Sequence, residues 1–588
     1  MSKVKQLPYG IADFETVMKD NLYYVDKTRY IPMLEEQPRN LMFIRPRRFG
    51  KSLLLSMLKT YYDKAKKDQF EEIFGSLWIG KHPTPLMGKY QVMYLDFSQI
   101  GGTIDELPKR FDQYLSMQLD DFMDKYQADY PAHLVERFFR LESGNDKLIM
   151  ITTVANRFRI PLYLIIDEYD NFTNVVLSEK GEEVYHQMTH AEGFYRDVFK
   201  KFKGTFERIF FTGVSPVTLD DLTSGFNIGW NITTLFYFDK MLGFSTEEVR
   251  EMFTYYKHAG ALPTDCDIEA MIDEMRPWYD NYCFSKECLK DNNRVFNSDM
   301  VLFYLRNYMM YKSSPEVMLD PNTKTDYNKL KKLIQLDRLD GDRKGILRQI
   351  AEEGQIVSEV LPSFPASALV KPEVFISLLF YYGMLTIKGT YGPQLILSIP
   401  NDNVRMQYYN FLMENYALAC NINTKDLVTM FTRMAIDGNW RDALQYMCDC
   451  YKQLSSVRDS MEGERNIQGF FMAYLSLCSY YIVAPELELN HGFCDFFLLP
   501  NMKHYQSNHS YILELKYLSK ADYTADKAQE QWDIAVEQIN RYAVAPRVEA
   551  LRQGTQLHKI IIQFCGWEVI RMERLSSSSM NSRRRSRI

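Results

Sequence analysis

The stretch NLMFIRPRRFGKSLLLSML, residues 40–58, constrains the fold more than any other. An apolar run at 41–44 reads as a buried strand, a tight basic loop follows, and Gly50-Lys51-Ser52 opens an apolar helical pattern. Strand, short loop and helix make half of a βαβ unit. A helix N-terminus placed there offers unpaired N–H groups and the positive end of a dipole, which favours an anion. Lys51 then reaches terminal phosphates and the Ser52 hydroxyl ligates Mg²⁺. The general phosphate-loop pattern wants glycine where this chain has Arg45, so a basic loop that merely contains Gly-Lys-Ser is the competing reading.

A second signal shifts the balance. PLYLIIDEYD is an apolar strand ending in Asp167-Glu168, where the aspartate can hold the Mg²⁺ shell and the glutamate can orient and deprotonate water. Either piece alone is common; both, in order, at two strand ends, are less so. A third strand, RIFFTGVSP, ends in Thr212, a small polar group placed to sense a terminal phosphate, although Thr-Gly is also ordinary turn chemistry.

Residues 41–44, 92–97, 162–166 and 208–212 alternate with helical patterns, the rhythm of a parallel α/β sheet. GFSTEEVREMF then opens a helix with a capping box, Ser245 and Glu248. From there the chain reads as helical, with a winged-helix element expected where FISLLFYYGMLTIKG passes into a small strand pair. After KQLSSVRDSMEGER comes a helix, strands at 480–488, 493–499 and 511–518, a helix at 522–542 and a strand at 559–564. At 588 residues the chain exceeds one core. The expected domains are 1–250 (phosphate-binding), 251–455 (helical middle), 456–575 (a second α/β module) and 576–588 (a mobile basic tail).

The second module carries its own constellation. Asp495 starts one strand, and Glu514-Leu515-Lys516 lies in the next but one apolar run, where a period of two puts Glu514 and Lys516 on one face. A converging Asp and Glu can hold Mg²⁺, and a neighbouring lysine can help deprotonate an attacking water in phosphodiester hydrolysis. A lone E-x-K is more often a cross-strand ion pair. The order of elements and the further polar groups Glu464, Glu486, Glu488 and Gln538 tip the reading toward a catalytic site.

These words carry a resemblance. RPRRFGKS at Arg45 to Ser52 and IDEYD at Ile166 to Asp170, with LPYGIADFE, YYVDKT and WYDNYCFS, resemble the bacterial AAA-ATPase-like family over roughly the first half of the chain. The likeness implies a P-loop, RecA-like core of the class that inserts a strand between the phosphate loop and the Asp-Glu strand, with 92–97 as the candidate. It implies ATP and Mg²⁺ as cofactors. Arg48, Phe49, Gly50, Lys51, Ser52, Asp167 and Thr212 would be nucleotide contacts, Ser52 and Asp167 metal ligands, and Glu168 the catalytic base. Residues 460–570 resemble the PD-(D/E)XK nuclease superfamily, whose restriction-endonuclease-like fold implies Asp495 and Glu514 as metal ligands and Lys516 as the catalytic lysine, with Glu464 and Gln538 accessory. Relatives often have Gly-Arg ahead of the aspartate, whereas Gly492-Phe493-Cys494-Asp495 stands here, and Gln468 replaces a frequent histidine.

The expected function is an ATPase whose nucleotide state controls a Mg²⁺-dependent nuclease; the alternatives are a nucleotide switch with a silent C-terminal domain and a scaffold with two degenerate sites. Net charge is -6, so nucleic acid, DNA ahead of RNA, must be met by local patches such as Arg45, Arg47 and Arg48 or the tail Arg583 to Arg587. Nine cysteines without a C-x-x-C pair fit a reducing cytosol, no signal peptide precedes them, and 375–387 is too short to span a bilayer. A cytoplasmic protein without membrane contact is expected, with homo-oligomerisation open. His186 and His190 in HQMTH read as a solvated pair, Cys448 and Cys450 as too isolated for metal, and the abundant Tyr and Phe as core before stacking surface.

Overall fold

The computed structural model describes residues 4–576 except 104–105, 172–197, 219–228, 291–293, 321–342, 366–367, 369–370, 420–422, 457–462 and 491. His186, His190 and the tail arginines lie outside the described residues. The chain forms two compact units, residues 1–346 with 355–404, and 347–354 with 405–588.

The first unit is built on a parallel sheet. Strand β1 (Asn40–Ile44) leads through the basic loop into helix α1 (Lys51–Tyr62). Strand β2 (Gln91–Asp96) is followed by helices α2 (Leu107–Tyr126) and α3 (Gly144–Phe158), then by β3 (Leu162–Asp167), β4 (Arg208–Gly213) and a short β5 (Trp230–Asn231). Sheet order is β2-β3-β4-β1-β5 with every pairing parallel. All six residues of β3 are buried, as expected for a central strand covered on both faces. The strand between β1 and β3 is therefore β4, and β2 lies at the edge. This corrects the assignment of 92–97 to the inserted position: four apolar runs of similar composition do not encode their lateral order, which the crossovers decide.

Helix α4 (Thr246–His258) begins with the capping box, the Ser245 side chain accepting from Glu248 N and the Glu248 side chain accepting from Ser245 N. It packs with α5 (Ile268–Tyr279) and α6 (Ser298–Tyr311) around a core that includes Met252, Phe253, Met275 and Tyr304. A small antiparallel sheet follows: β6 (Gln355–Ser358), then helix α7 (Pro372–Tyr381), β7 (Thr386–Tyr391) and β8 (Gln394–Ser398), in the order β6-β8-β7.

In the second unit, helices α8 (Thr424–Asp437) and α9 (Trp440–Gln453) precede α10 (Glu464–Leu475). A five-stranded mixed sheet follows in sequence order: β9 (Tyr481–Glu488), β10 (Phe493–Pro500), β11 (His509–Leu518), β12 (Gln556–Cys565) and β13 (Glu568–Leu575). Helix α11 (Ala525–Ala543) makes the crossover that lets β11 and β12 run parallel. Strand β13 was not expected from the sequence: EVIRMERL has only one buried position, so its pattern looks polar.

Candidate functional sites

The phosphate loop emerges between β1 and α1. Gly50 caps α1 at φ 93°, a left-handed conformation glycine adopts without steric cost. Arg48 adopts φ 67° without that freedom, a strained turn of the kind that clusters at ligand-binding loops. Lys51 is 8% exposed, and its Nζ donates to the carbonyls of Arg45 at 3.0 Å and Pro46 at 2.9 Å. Burial pulls its ammonium down to about 8, against the opposing pull of Asp167 and Glu168. Ser52 Oγ donates to Asp167 Oδ2 at 2.6 Å, and Tyr94 OH reaches the same oxygen at 3.3 Å. Burial raises the Asp167 pKa, with the Ser52 hydrogen bond acting against it. Glu168 follows at φ 47°, turning the chain out of β3.

Lys51, Ser52, Asp167 and Glu168 face one cavity of ≈ 630 Å³, lined also by the rest of the 47–54 segment. Its other walls were not anticipated: Gly10, Ile11, Tyr23 and Lys27 from the N-terminal segment, Phe244 and Met252 at α4, and Ser298 and Asp299 at α6. The sequence signal was present in LPYGIADFE and YYVDKT, but nothing local tied those words to the loop.

Three expected nucleotide contacts have other engagements. Arg48 donates to Asp299 at 2.8 Å and Asp320 at 3.4 Å, anchoring the loop to α6. Phe49 buries its ring edge-on against Tyr282 and Phe284. The Thr212 hydroxyl donates to the Phe43 carbonyl at 2.5 Å, cross-linking β4 to β1, and Thr212 does not line the cavity. The phosphate-sensing assignment of Thr212 thus gives way to a structural one, because a strand-end hydroxyl in a covered sheet takes the nearest carbonyl.

Arg45 explains the departure from the general pattern. It is fully buried, donates to the carbonyls of Ile44, Thr233 and Phe238 at 2.8–3.0 Å, and lies over the rings of Phe43 and Phe284. The side chain turns away from the phosphate side and braces the loop from beneath. Asp170, the last residue of IDEYD, accepts from Ser215 N and Oγ, both at 2.8 Å, and a side chain at Gly213 would meet it at 2.2 Å. It locks the end of β3 to the end of β4.

The second site lies where β10 and β11 diverge. Their pairing holds from Phe496↔Leu513 to Leu498↔Tyr511, and just beyond it Asp495 Oδ2 accepts from Leu515 N at 2.6 Å. Asp495 Oδ1 accepts from Gln468 Nε2 of α10 at 2.7 Å, so the residue in the histidine position orients the carboxylate. Glu514 is 2% exposed; its Oε1 accepts from Lys516 Nζ at 2.8 Å and its Oε2 is buried with no hydrogen-bond partner. Gln538 Oε1, on α11, is also buried and unpartnered. Burial first, then the Glu514 charge, pushes Asp495 up to about 7; burial likewise raises Glu514, against the pull of Lys516. Burial works to lower Lys516, but Glu514 and Asp495 outweigh it and leave it above its ordinary value. Glu464 acts on all three electrostatically. Among the described residues no three His, Cys, Asp or Glu side chains form a ready metal cluster. Nor is any described helix long and apolar enough to cross a membrane.

Residues 8–223 match the family model described as "Predicted AAA-ATPase", and 462–574 the PD-(D/E)XK nuclease superfamily. An "Uncharacterized protein in vnfD 5'region" from Azotobacter chroococcum is 25% identical over 334 residues, covering 54% of this chain and 56% of its own length. The chain thus spans little more than half of that relative. Among solved structures, the Aeropyrum pernix ORC2 protein aligns over 64% of this chain and 88% of its own at 13% identity, with a TM-score of 0.28. The chain joins an AAA-ATPase-like domain at its N-terminal end to a PD-(D/E)XK nuclease superfamily domain toward its C-terminal end.

Proposed function

We propose that the protein binds and hydrolyses ATP in its first unit and cleaves nucleic-acid phosphodiesters in its second, with the nucleotide state setting the cleavage. The observation that carries the reading is Lys51, buried at a helix N-terminus with only main-chain acceptors, beside the Ser52–Asp167 pair in a cavity of nucleotide size.

The donor set fits a nucleoside triphosphate with Mg²⁺. Lys51 would exchange the Arg45 and Pro46 carbonyls for phosphate oxygens, and the first N–H groups of α1 would meet the same anion. Ser52 and Asp167 would hold Mg²⁺, which neutralises charge developing on the transferred phosphoryl group. Glu168 would orient and deprotonate water. The apolar walls from the N-terminal segment and α4 suit a nucleobase.

In the second unit the unpartnered Glu514 Oε2 fits a divalent cation, since an orphaned buried carboxylate oxygen costs free energy that a ligated ion would offset. Asp495 and Glu514 would hold it, Lys516 would position or deprotonate the attacking water, and Gln538 would hydrogen-bond within the cleft. Bound Mg²⁺ would polarise the scissile phosphate. One observation favours a second reading, a nucleotide switch whose C-terminal domain binds without cutting: both Asp495 oxygens already accept hydrogen bonds.

The test is cleavage of plasmid, linear and single-stranded DNA with Mg²⁺ or Mn²⁺, with and without ATP, beside Lys51→Ala and Lys516→Ala. Cleavage lost in Lys516→Ala and altered in Lys51→Ala supports the full reading. ATP hydrolysis without any cleavage supports the switch, and equal cleavage with and without ATP removes the coupling.

A further inference from the structure

Phe493 is 61% exposed, and it stands two residues ahead of Asp495 on β10. The alternation of the strand settles which way it turns. Phe493, Asp495 and Phe497 share one face of β10 by alternation, and Phe497 packs in the core that includes Trp532 and Ile539 of α11. Asp495 lies on the same face as Phe493 and at the strand edge turns its Oδ1 to Gln468 and its Oδ2 to Leu515 N. The ring therefore projects into solvent on the side of the strand that carries the carboxylate. Single exposed aromatics are common. One about two strand residues, or roughly 7 Å, from a carboxylate site has a placement the hydrophobic core does not explain.

We propose that Phe493 is a nucleobase-stacking platform beside the carboxylate site, and that the substrate there is an unpaired strand. The inference rests on the nuclease-like reading of the second unit and names its substrate class. An aromatic face binds any base by stacking, without hydrogen-bond readout, but only where the base is out of the duplex. A base held on Phe493 places its neighbouring phosphate toward Asp495, Glu514 and Lys516.

The experiment uses the full chain in Ca²⁺, with a fluorescein-labelled single strand of about 12 nucleotides, its duplex and the matching RNA as probes, a length within the usual single-strand site sizes. Phe493→Ala should weaken single-strand binding about 5- to 150-fold, the range for losing one stacked base, and leave duplex binding within about twofold. Phe493→Trp should retain binding, and its indole fluorescence should be quenched by the single strand, a signal that a merely structural role would not produce. Tight binding by the RNA with weak binding by the DNA would place the substrate on the RNA side. Native binding unchanged in Phe493→Ala, with no quenching in Phe493→Trp, overturns this inference and leaves the nuclease reading standing. Absence of any nucleic-acid binding or cleavage by the native chain removes both.

Discussion

The two candidate sites handle their charges in opposite ways. At the phosphate loop every principal polar group already has a protein partner: Lys51 has two carbonyls, Ser52 has Asp167, and Arg48 has Asp299 and Asp320. At the β10–β11 site the buried Glu514 and the half-buried Asp495 have one lysine beside them, and Glu514 Oε2 and Gln538 Oε1 have no partner. The first site is cross-linked and must exchange partners to take a ligand; the second is under-satisfied and gains by taking one. A ligand at the loop would therefore pull on α6, since the Arg47 and Arg48 carbonyls accept from Asn297 and Ser298 at its start. A ligand at the carboxylates would only compensate them locally.

Removing each lysine in turn should give the largest effects. Lys516→Ala should lower divalent-cation-dependent cleavage by about 10²- to 10⁴-fold in a gel assay with ATP hydrolysis retained. Lys51→Ala should lower ATP hydrolysis by about 10²-fold or more, read by phosphate release. If Lys516→Ala lowers hydrolysis as much as Lys51→Ala does, the sites are not separable.

Next in size is the brace beneath the loop. Arg45→Met leaves several carbonyls and Asp239 without their buried cation, and should cost about 3–5 kcal/mol, visible as a lower urea midpoint. Little loss of stability would mean that water or a rearranged backbone replaces the guanidinium.

A smaller effect tests the under-satisfied site. Millimolar Mg²⁺ should raise the melting temperature of the native chain, by linkage worth about 2.7 kcal/mol at a hundredfold excess over Kd. Glu514→Gln should abolish the part of the shift that Ser52→Ala leaves. Identical shifts in native and Glu514→Gln chains would show that the carboxylates take no cation.

The smallest is a pH effect in the second unit. His558 Nε2 lies 2.9 Å from His509 Nδ1, with Arg574 facing His558 Nδ1, Tyr511 stacked on its ring and Asp437 acting on His509. Burial, then His509 and Arg574, lowers His558 to about 4, and burial lowers His509. A depressed histidine binds its proton less readily folded than unfolded. The pair's contribution is thus present above the ordinary value near 6.5 and lost as pH falls from there toward about 4. The loss should be on the order of 1 kcal/mol, allowing for solvent screening of the partly exposed His509. A His558→Gln chain whose stability falls equally over that window would assign the effect elsewhere.

Legibility in the sequence followed the range of the interactions. The strand-loop-helix at 40–58, the Asp-Glu strand end, the capping box at Ser245 and the Glu514–Lys516 spacing were readable because each depends on neighbours a few residues apart. The lateral place of β4 was not, nor were the engagements of Thr212, Arg48 and Arg45, whose partners lie 169, 251 and 188 residues away.

Periodicity and local spacing are properties of short segments, so the two α/β modules, the Gly-Lys-Ser helix start and the shared face of Glu514 and Lys516 were legible in the residues alone. Which strand lies beside which, the bracing of the loop by Arg45 while Lys51 faces the cavity, and the exposure of Phe493 beside Asp495 emerged from the folded chain. Those outcomes depend on burial and on distant carbonyls competing for each polar group. No local pattern records that competition.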